Sequence, residues 1–381
     1  MEEAMKDTAV THKQFAAAIF AALLSPLLRS LPRQAVSLVG RAAWLSAVPA
    51  FFLLLIPALL MTDLGRRLRP GEGMAGLIVR VLGPVFGRLL ALVYAAWFLF
   101  YAGFILRSGA ERLVSTIYPN SGPTLFVLIM LLLCLLVSLG TLRAAARTAV
   151  IMRGILFAIL ALVMLFSLSN MDAGQLVPVG WRDTGPILLG AVPLAAVGAV
   201  SGCFSFLSGY VEKPKNARWL IGIFLLFLAL ACLICMTVVC VFGPALTAEM
   251  TYPFFVMIRN ISLFNLVPRI EAVVVATWVF ADFMLCTMLL RCAHEAMRPI
   301  FSLPLPDDRP LFSFQAGRWL LWVEAAAVFA VSLLFDLTPW QLMLWSEKRI
   351  PFISNCFLYG GFSLLWLVTI PRRKKEKSRS S

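Results

Sequence analysis

Residues 11–32 read THKQFAAAIFAALLSPLLRSLP, and this stretch decides how the rest of the chain is read. It is long and apolar enough to cross a bilayer, whose hydrocarbon about 20 apolar residues span. Ser25-Pro26 nevertheless sits inside it. Proline has no N–H to give the helix ladder and crowds the carbonyl one turn back. Carbonyls freed in this way are tolerated at membrane depth only where protein buries them or where they line a polar cavity. Two readings follow: a simple proline kink, or a broken span whose bare backbone receives a solute at Leu24, Ser25, Pro26 and Leu27, as discontinuous helices do in transporters.

Composition sets the class. The chain has 381 residues, of which 61% are hydrophobic and 14% charged, against about 25% charged in a soluble domain. It reads as an all-α integral membrane protein with one transmembrane domain over 1–371 and a basic tail over 372–381. Met1–Ala9 holds Glu2, Glu3, Lys6 and Asp7, which is not the basic start of a secretory signal, so the first span is expected to stay attached. The net charge of +14 lies between apolar runs and in the tail, not in a nucleic-acid-binding patch. The tail suits anionic lipid headgroups.

Ten spans emerge from the apolar runs, near 12–31, 42–65, 85–107, 123–141, 146–168, 184–209, 217–243, 269–297, 317–336 and 351–370. Loops holding Arg66, Arg67, Arg69, Arg143, Lys213 and Lys215 fall on the side of the basic tail. Arg29, Arg33, Arg107, Arg112, Arg259 and Arg269 fall on the other, poorer side. That asymmetry places both termini in the cytoplasm. Residues 251–271 are too interrupted to cross and read as a short interfacial helix over the outer mouth. Pro304–Pro310 and Asp336–Pro351 read as ordinary connections.

Span six, residues 184–209, is the second unusual helix. Pro193, Gly198, Ser201, Gly202 and Ser208 crowd it. Small residues also serve plain helix packing, but interruptions at corresponding positions of two halves point to a transporter-type site. Span six opens the second five spans as 11–32 opens the first. Gly198, Val200, Ser201 and Gly202 therefore join the binding set, their N–H and C=O groups suited to the carboxylate and ammonium of an amino-acid-like solute.

Three further positions share one face of span three: Tyr94, Trp97 and Tyr101, at i, i+3 and i+7. They read either as pocket wall or as core. Asp282 stands near the centre of span eight, where a charge costs about 2.5–3.5 kcal/mol on insertion scales. It reads as a proton carrier, a cation site or an acceptor for a ligand ammonium, with a protonated, hydrogen-bonded aspartic acid as the structural alternative. Glu271 with Arg269 reads as an interfacial pair, and Glu324 as solvated near the headgroups. The eight cysteines sit in or beside apolar runs, and Cys232-x-x-Cys235 reads as helix packing. His12 and His294 are too few for a zinc site. No catalytic constellation, metal or cofactor site is expected.

Three segments carry a family likeness: Thr11-His12-Lys13-Gln14 with Leu31-Pro32-Arg33 and Trp44-Leu45; Phe206-Leu207 with Val211-Glu212-Lys213-Pro214-Lys215; and Tyr252-Pro253-Phe254, Ile261-Ser262, Arg269-Ile270-Glu271 and Trp278. They resemble the spore germination receptor B-subunit family, within the amino acid–polyamine–organocation transporter superfamily. The resemblance implies a LeuT-like 5+5 inverted repeat with broken spans 1 and 6, and a role in sensing an amino-acid-like germinant in the spore's inner membrane. It implies an A subunit and a C lipoprotein subunit as partners. The chain departs from the family where glycines would stand at the first break, and Gly40-Arg41-Ala42-Ala43 precedes Trp44 without an acidic residue. The rival reading is a proton- or cation-coupled amino acid permease; a third is a structural subunit whose site has decayed.

Overall fold

The computed structural model describes residues 10–69, 72–118, 120–212, 217–260, 270–303 and 318–377. Among them the chain is helical, with a single isolated β-bridge between Val10 and Val211. Arg269, Pro304–Pro310 and the last four residues of the tail lie outside this set, as do the side chains of Glu271 and of 371–381.

Helix α1, His12–Arg29, opens on a capping box in which Thr11 and Gln14 satisfy each other's backbone N–H groups. It then runs through Ser25-Pro26 without interruption, so the break expected at Leu24–Leu27 is not there. Every residue from Ala17 to Arg29 is buried, and packing on all sides holds the helix in register across the lost hydrogen bond. The chain turns instead at Ser30, with φ −130° and ψ −16°. A second helix, α2 (Leu31–Val39), begins there with Pro32 in its first turn, where a missing N–H costs nothing. The proline that marks the discontinuity is Pro32.

A left-handed Gly40, φ +73°, ends α2, and a 3₁₀ stretch Gly40–Ser46 leads into α3 (Ala47–Arg66). The chain continues with α4 (Met74–Leu82), α5 (Pro84–Thr116), α6 (Pro123–Leu139) and α7 (Leu142–Ser167). Then come α8 (Thr184–Ala199), α9 (Arg218–Glu249), α10 (Pro253–Asn260) and α11 (Ile270–Phe301). The last helices are α12 (Arg318–Leu334), α13 (Pro339–Leu344), α14 (Ile350–Asn355) and α15 (Phe362–Lys377). A helix stands at each of the ten expected positions. Among the described residues, six segments are by themselves long and apolar enough to cross a membrane: Leu31–Arg66, Pro84–Ser115, Leu142–Asn170, Trp181–Tyr210, Arg218–Glu249 and Pro339–Thr369.

Two departures from regular α-geometry position the interior. After α8 the chain tightens into an eleven-residue 3₁₀ helix, Val200–Tyr210, far beyond the three or four residues at which such helices normally stop. The final span is widened into π-turns at Trp345–Arg349 and Cys356–Gly361, joining α13, α14 and α15. Residues 339–351, expected as a connection, are thus helical. Pro351 breaks the ladder by withholding its N–H from the carbonyl of Glu347, and the Gln34 side-chain amide donates to that carbonyl at 2.5 Å. Pro57 likewise frees the carbonyl of Leu53, which accepts from the Tyr359 hydroxyl at 3.2 Å. Tertiary side chains replace the donors that proline removes.

Helix α11 is the central post. It packs against α1, α5, α6 and the 3₁₀ segment Val200–Tyr210. At its far end Arg291 donates to the carbonyls of Val137 and Gly140, both at 2.7 Å, closing the C-terminus of α6. The N-terminal strand-like residue Val10 is tied to the end of the 3₁₀ segment by Val10 N–H to Tyr210 C=O at 2.9 Å and Glu212 N–H to Val10 C=O at 3.1 Å.

Candidate functional site

The expected stripe on α5 extends further than three aromatics. Tyr94, Trp97, Tyr101, Phe104, Ser108 and Arg112 recur at three- and four-residue steps along one face, over about 27 Å at 1.5 Å per residue. The stripe passes from an aromatic cavity at one end to a charged cluster at the other.

At the aromatic end, Tyr94 and Trp97 line a small cavity of about 10 Å³, the room of a single water, with Gly202, Cys203, Ser354 and Phe357 among the other walls. Trp97 stacks on Phe357 with centroids 5.5 Å apart and on Tyr101 at 5.6 Å. The Tyr94 hydroxyl donates to the carbonyl of Phe357 at 3.0 Å, in the π-widened turn. Gly361 permits this approach, since a Cβ there would lie 2.0 Å from that hydroxyl. Gly202 does the same for the 3₁₀ segment: a Cβ would lie 1.8 Å from a Leu358 methyl. The cavity exists because two irregular helices meet through glycine.

At the charged end, Ser25 of α1, Arg112 of α5 and Asp282 of α11 converge. The Ser25 hydroxyl donates to one oxygen of Asp282 and the Arg112 guanidinium to the other. Asp282 is 1% exposed. Gly109 lets the carboxylate lie against α5, for a Cβ would stand 2.7 Å from Asp282 Oδ2. Arg112 also lies over the Trp278 ring at 5.0 Å, and Trp278 packs on Phe255 of α10 at 5.2 Å. The short helix thus reaches the cluster from the side. Tyr252, just before α10, lies within electrostatic range of Arg112, Arg29, Glu111 and Asp282; burial raises its phenol pKa, and the two arginines partly offset the rise.

One turn beyond Ser25, Arg29 is buried as well. Its Nη1 donates to Ser108 Oγ at 2.7 Å and its guanidinium lies 5.3 Å from the Phe104 ring centroid. Beyond it, Arg33 pairs with Glu347 at 2.5 Å, Ser30 meets Ser346 at 3.1 Å, and Arg107 pairs with Asp336 at 2.5 Å.

The sequence-derived residues therefore divide. Ser25 and Asp282 come together; Tyr94, Trp97 and Gly202 line one cavity; Tyr101 lies in the stack between them. Leu24, Pro26 and Leu27 are buried core within a continuous helix. Gly198 packs against Leu54, Val200 is buried, and Ser201 turns its hydroxyl back to the Gly198 carbonyl at 2.7 Å. Arg29 and Arg112 were missed because arginines near span ends look the same in sequence whether they reach headgroups or fold inward. The signal that finds them is the continuation of the α5 stripe through Ser108 to Arg112. Glu324, expected near the headgroups, is buried at 1% exposure with His294 Nδ1 3.4 Å away.

The description "spore germination protein" belongs to a family whose sequence model matches residues 9–317. The chain belongs to this family. No match was found among curated proteins. Membership makes it a germination-related, permease-like membrane protein, and the matched span holds every residue of the charged cluster and all of the α5 stripe. The family is of the transporter and receptor kind and not an enzyme family.

Proposed function

We propose that this chain is the nutrient-sensing membrane subunit of a spore germination receptor, binding a small amino-acid-like solute and passing the signal to an A subunit and a C lipoprotein subunit. In this reading ten spans cross as a five-plus-five inverted repeat, both termini are cytoplasmic, and the membrane is the inner membrane of the spore. The observation that carries it is the convergence of Ser25, Arg112 and Asp282 from three separate helices in a buried cluster. Buried charges in a membrane interior are costly and are kept where they act.

The solute's ammonium would take Asp282 as acceptor in exchange with Ser25, and its side chain would lie along the aromatic stripe toward the Tyr94–Trp97 cavity. Binding signals only insofar as the solute prefers one arrangement of the bundle over another. The 3₁₀ segment is the element placed to respond: it contacts α1 and α11 and ends at the tie to Val10. The test measures germination of host spores carrying Asp282→Asn at wild-type protein level, together with solute binding by the purified chain. Loss of both is expected. Unchanged germination overturns the sensing role, and uptake of labelled amino acid into proteoliposomes that Asp282→Asn abolishes would make the chain a permease.

A further inference from the structure

We infer that Arg29 is the receptor for a carboxylate on the solute, so that the site selects small carboxylic acids through a side-chain guanidinium and not through bare backbone at the helix break. This rests on the sensing site proposed above and names the ligand class it takes.

The charges around the cluster are nearly all matched. Arg112 is held by Asp282, and Arg107 by Asp336 at 2.5 Å with Glu111 at 3.8 Å. Arg29, 4% exposed, meets the hydroxyls of Ser108 and Tyr101 and the face of Phe104; Asp282 lies within electrostatic range, but no carboxylate forms an ion pair with Arg29 among the described residues, and its Nε is buried without a hydrogen-bond partner. A buried guanidinium without a carboxylate in direct contact is expensive unless an anion completes it. Its planar fork offers two parallel donors to a carboxylate, a geometry that a hydroxyl cannot fill.

Position supports the same assignment. Arg29 sits one helical turn past Ser25 on α1, so the acceptor at Asp282 and the donor at Arg29 lie against neighbouring turns of α5, at Gly109 and Arg112 and at Phe104 and Ser108. An α-amino acid presents an ammonium and a carboxylate a few ångströms apart, matching that order of charges. Because α1 runs unbroken through Leu24–Leu27, its N–H groups there are engaged in the helix and are not available to the carboxylate. The guanidinium takes the place of the missing break.

The experiment uses the purified full-length chain in nanodiscs, with melting temperature and equilibrium binding as readouts. The probes are the twenty L-amino acids, the C-terminal amide of each that binds, the matching acid lacking the amino group, and sodium chloride. Wild type should bind an amino acid and lose about 10- to 100-fold in affinity for its amide, the range expected for losing a charge-assisted hydrogen bond. Arg29→Gln should lose a similar factor for the acid and little for the amide. Arg29→Lys, which keeps the charge but not the fork, should fall between and guards against a fold defect in the glutamine variant. Equal binding of acid and amide, or Arg29→Gln and Arg29→Lys both binding as wild type does, overturns the carboxylate assignment while the sensing site stands. Chloride stabilising the chain as well as any acid overturns it in favour of a halide site. Binding of none of the amino acids overturns the sensing reading and this inference together.

Discussion

Asp282 and Arg112 form the pair whose removal should be felt most. Cutting one partner leaves the other charged and buried, at a cost of about 3–5 kcal/mol. Asp282→Asn is therefore expected to lower the melting temperature of the detergent-purified protein, and Asp282→Asn with Arg112→Gln should recover much of that loss; additive losses in the double-mutant cycle would show that the two side chains do not depend on each other. Gly202 offers a second residue-scale check. Alanine there drives a methyl into Leu358, so Gly202→Ala should destabilise the fold by roughly 1–3 kcal/mol, as overpacking does. Leu358→Ala in the same chain should relieve it. Equal melting temperatures for Gly202→Ala and wild type would mean that the 3₁₀ segment and the last span do not approach this closely.

At the scale of elements, the irregular turns are held by side chains from elsewhere. Gln34 supplies the donor that Pro351 withholds, and Tyr359 the one that Pro57 withholds. Gln34→Leu and Tyr359→Phe should each cost about 1–3 kcal/mol by leaving a buried carbonyl unpaired, read as a fall in thermal stability. Replacing Pro351 with alanine restores the missing N–H and should offset the Gln34→Leu loss, whereas it should do nothing for Tyr359→Phe. The same elements explain where the helices depart from what the prolines predict. Pro26 was the visible interruption, yet α1 passes through it, because a proline in a helix packed on every side can be carried with one missing bond. Pro32 looked like the end of a span and proves to start the next helix after the turn at Ser30. In span six the small residues at Gly198–Gly202 did mark a change of geometry, though to a 3₁₀ helix with Ser201 bonded to its own chain.

For the whole molecule the proposed repeat requires ten crossings. Among the described residues, six segments meet the length and apolarity of a span on their own, whereas Pro123–Leu139 is shorter. Single cysteines placed at Ser121 and Thr141, in a background lacking the native eight, should be labelled by an impermeant maleimide from opposite faces of oriented vesicles. Labelling from the same face would remove one crossing and with it the five-plus-five arrangement. The two ends of the bundle also differ in what closes them. Arg33–Glu347 and Arg107–Asp336 join helices at the end away from the termini. At the other end Glu295, Tyr210 and Arg298 hold the 3₁₀ segment against α11.

The sequence by itself determined the class, the approximate helices and the residues whose chemistry is out of place in hydrocarbon. Apolar runs, an aspartate in mid-span and a small-residue helix are local properties, legible from composition and spacing. Tertiary structure alone decided which of those residues meet. That Ser25 faces Asp282, that Arg112 reaches in to pair with it and that Arg29 meets two hydroxyls and a ring without an ion pair depend on how α1, α5 and α11 are rotated against one another. Rotation is set by the summed packing of whole faces, which no single stretch of chain encodes.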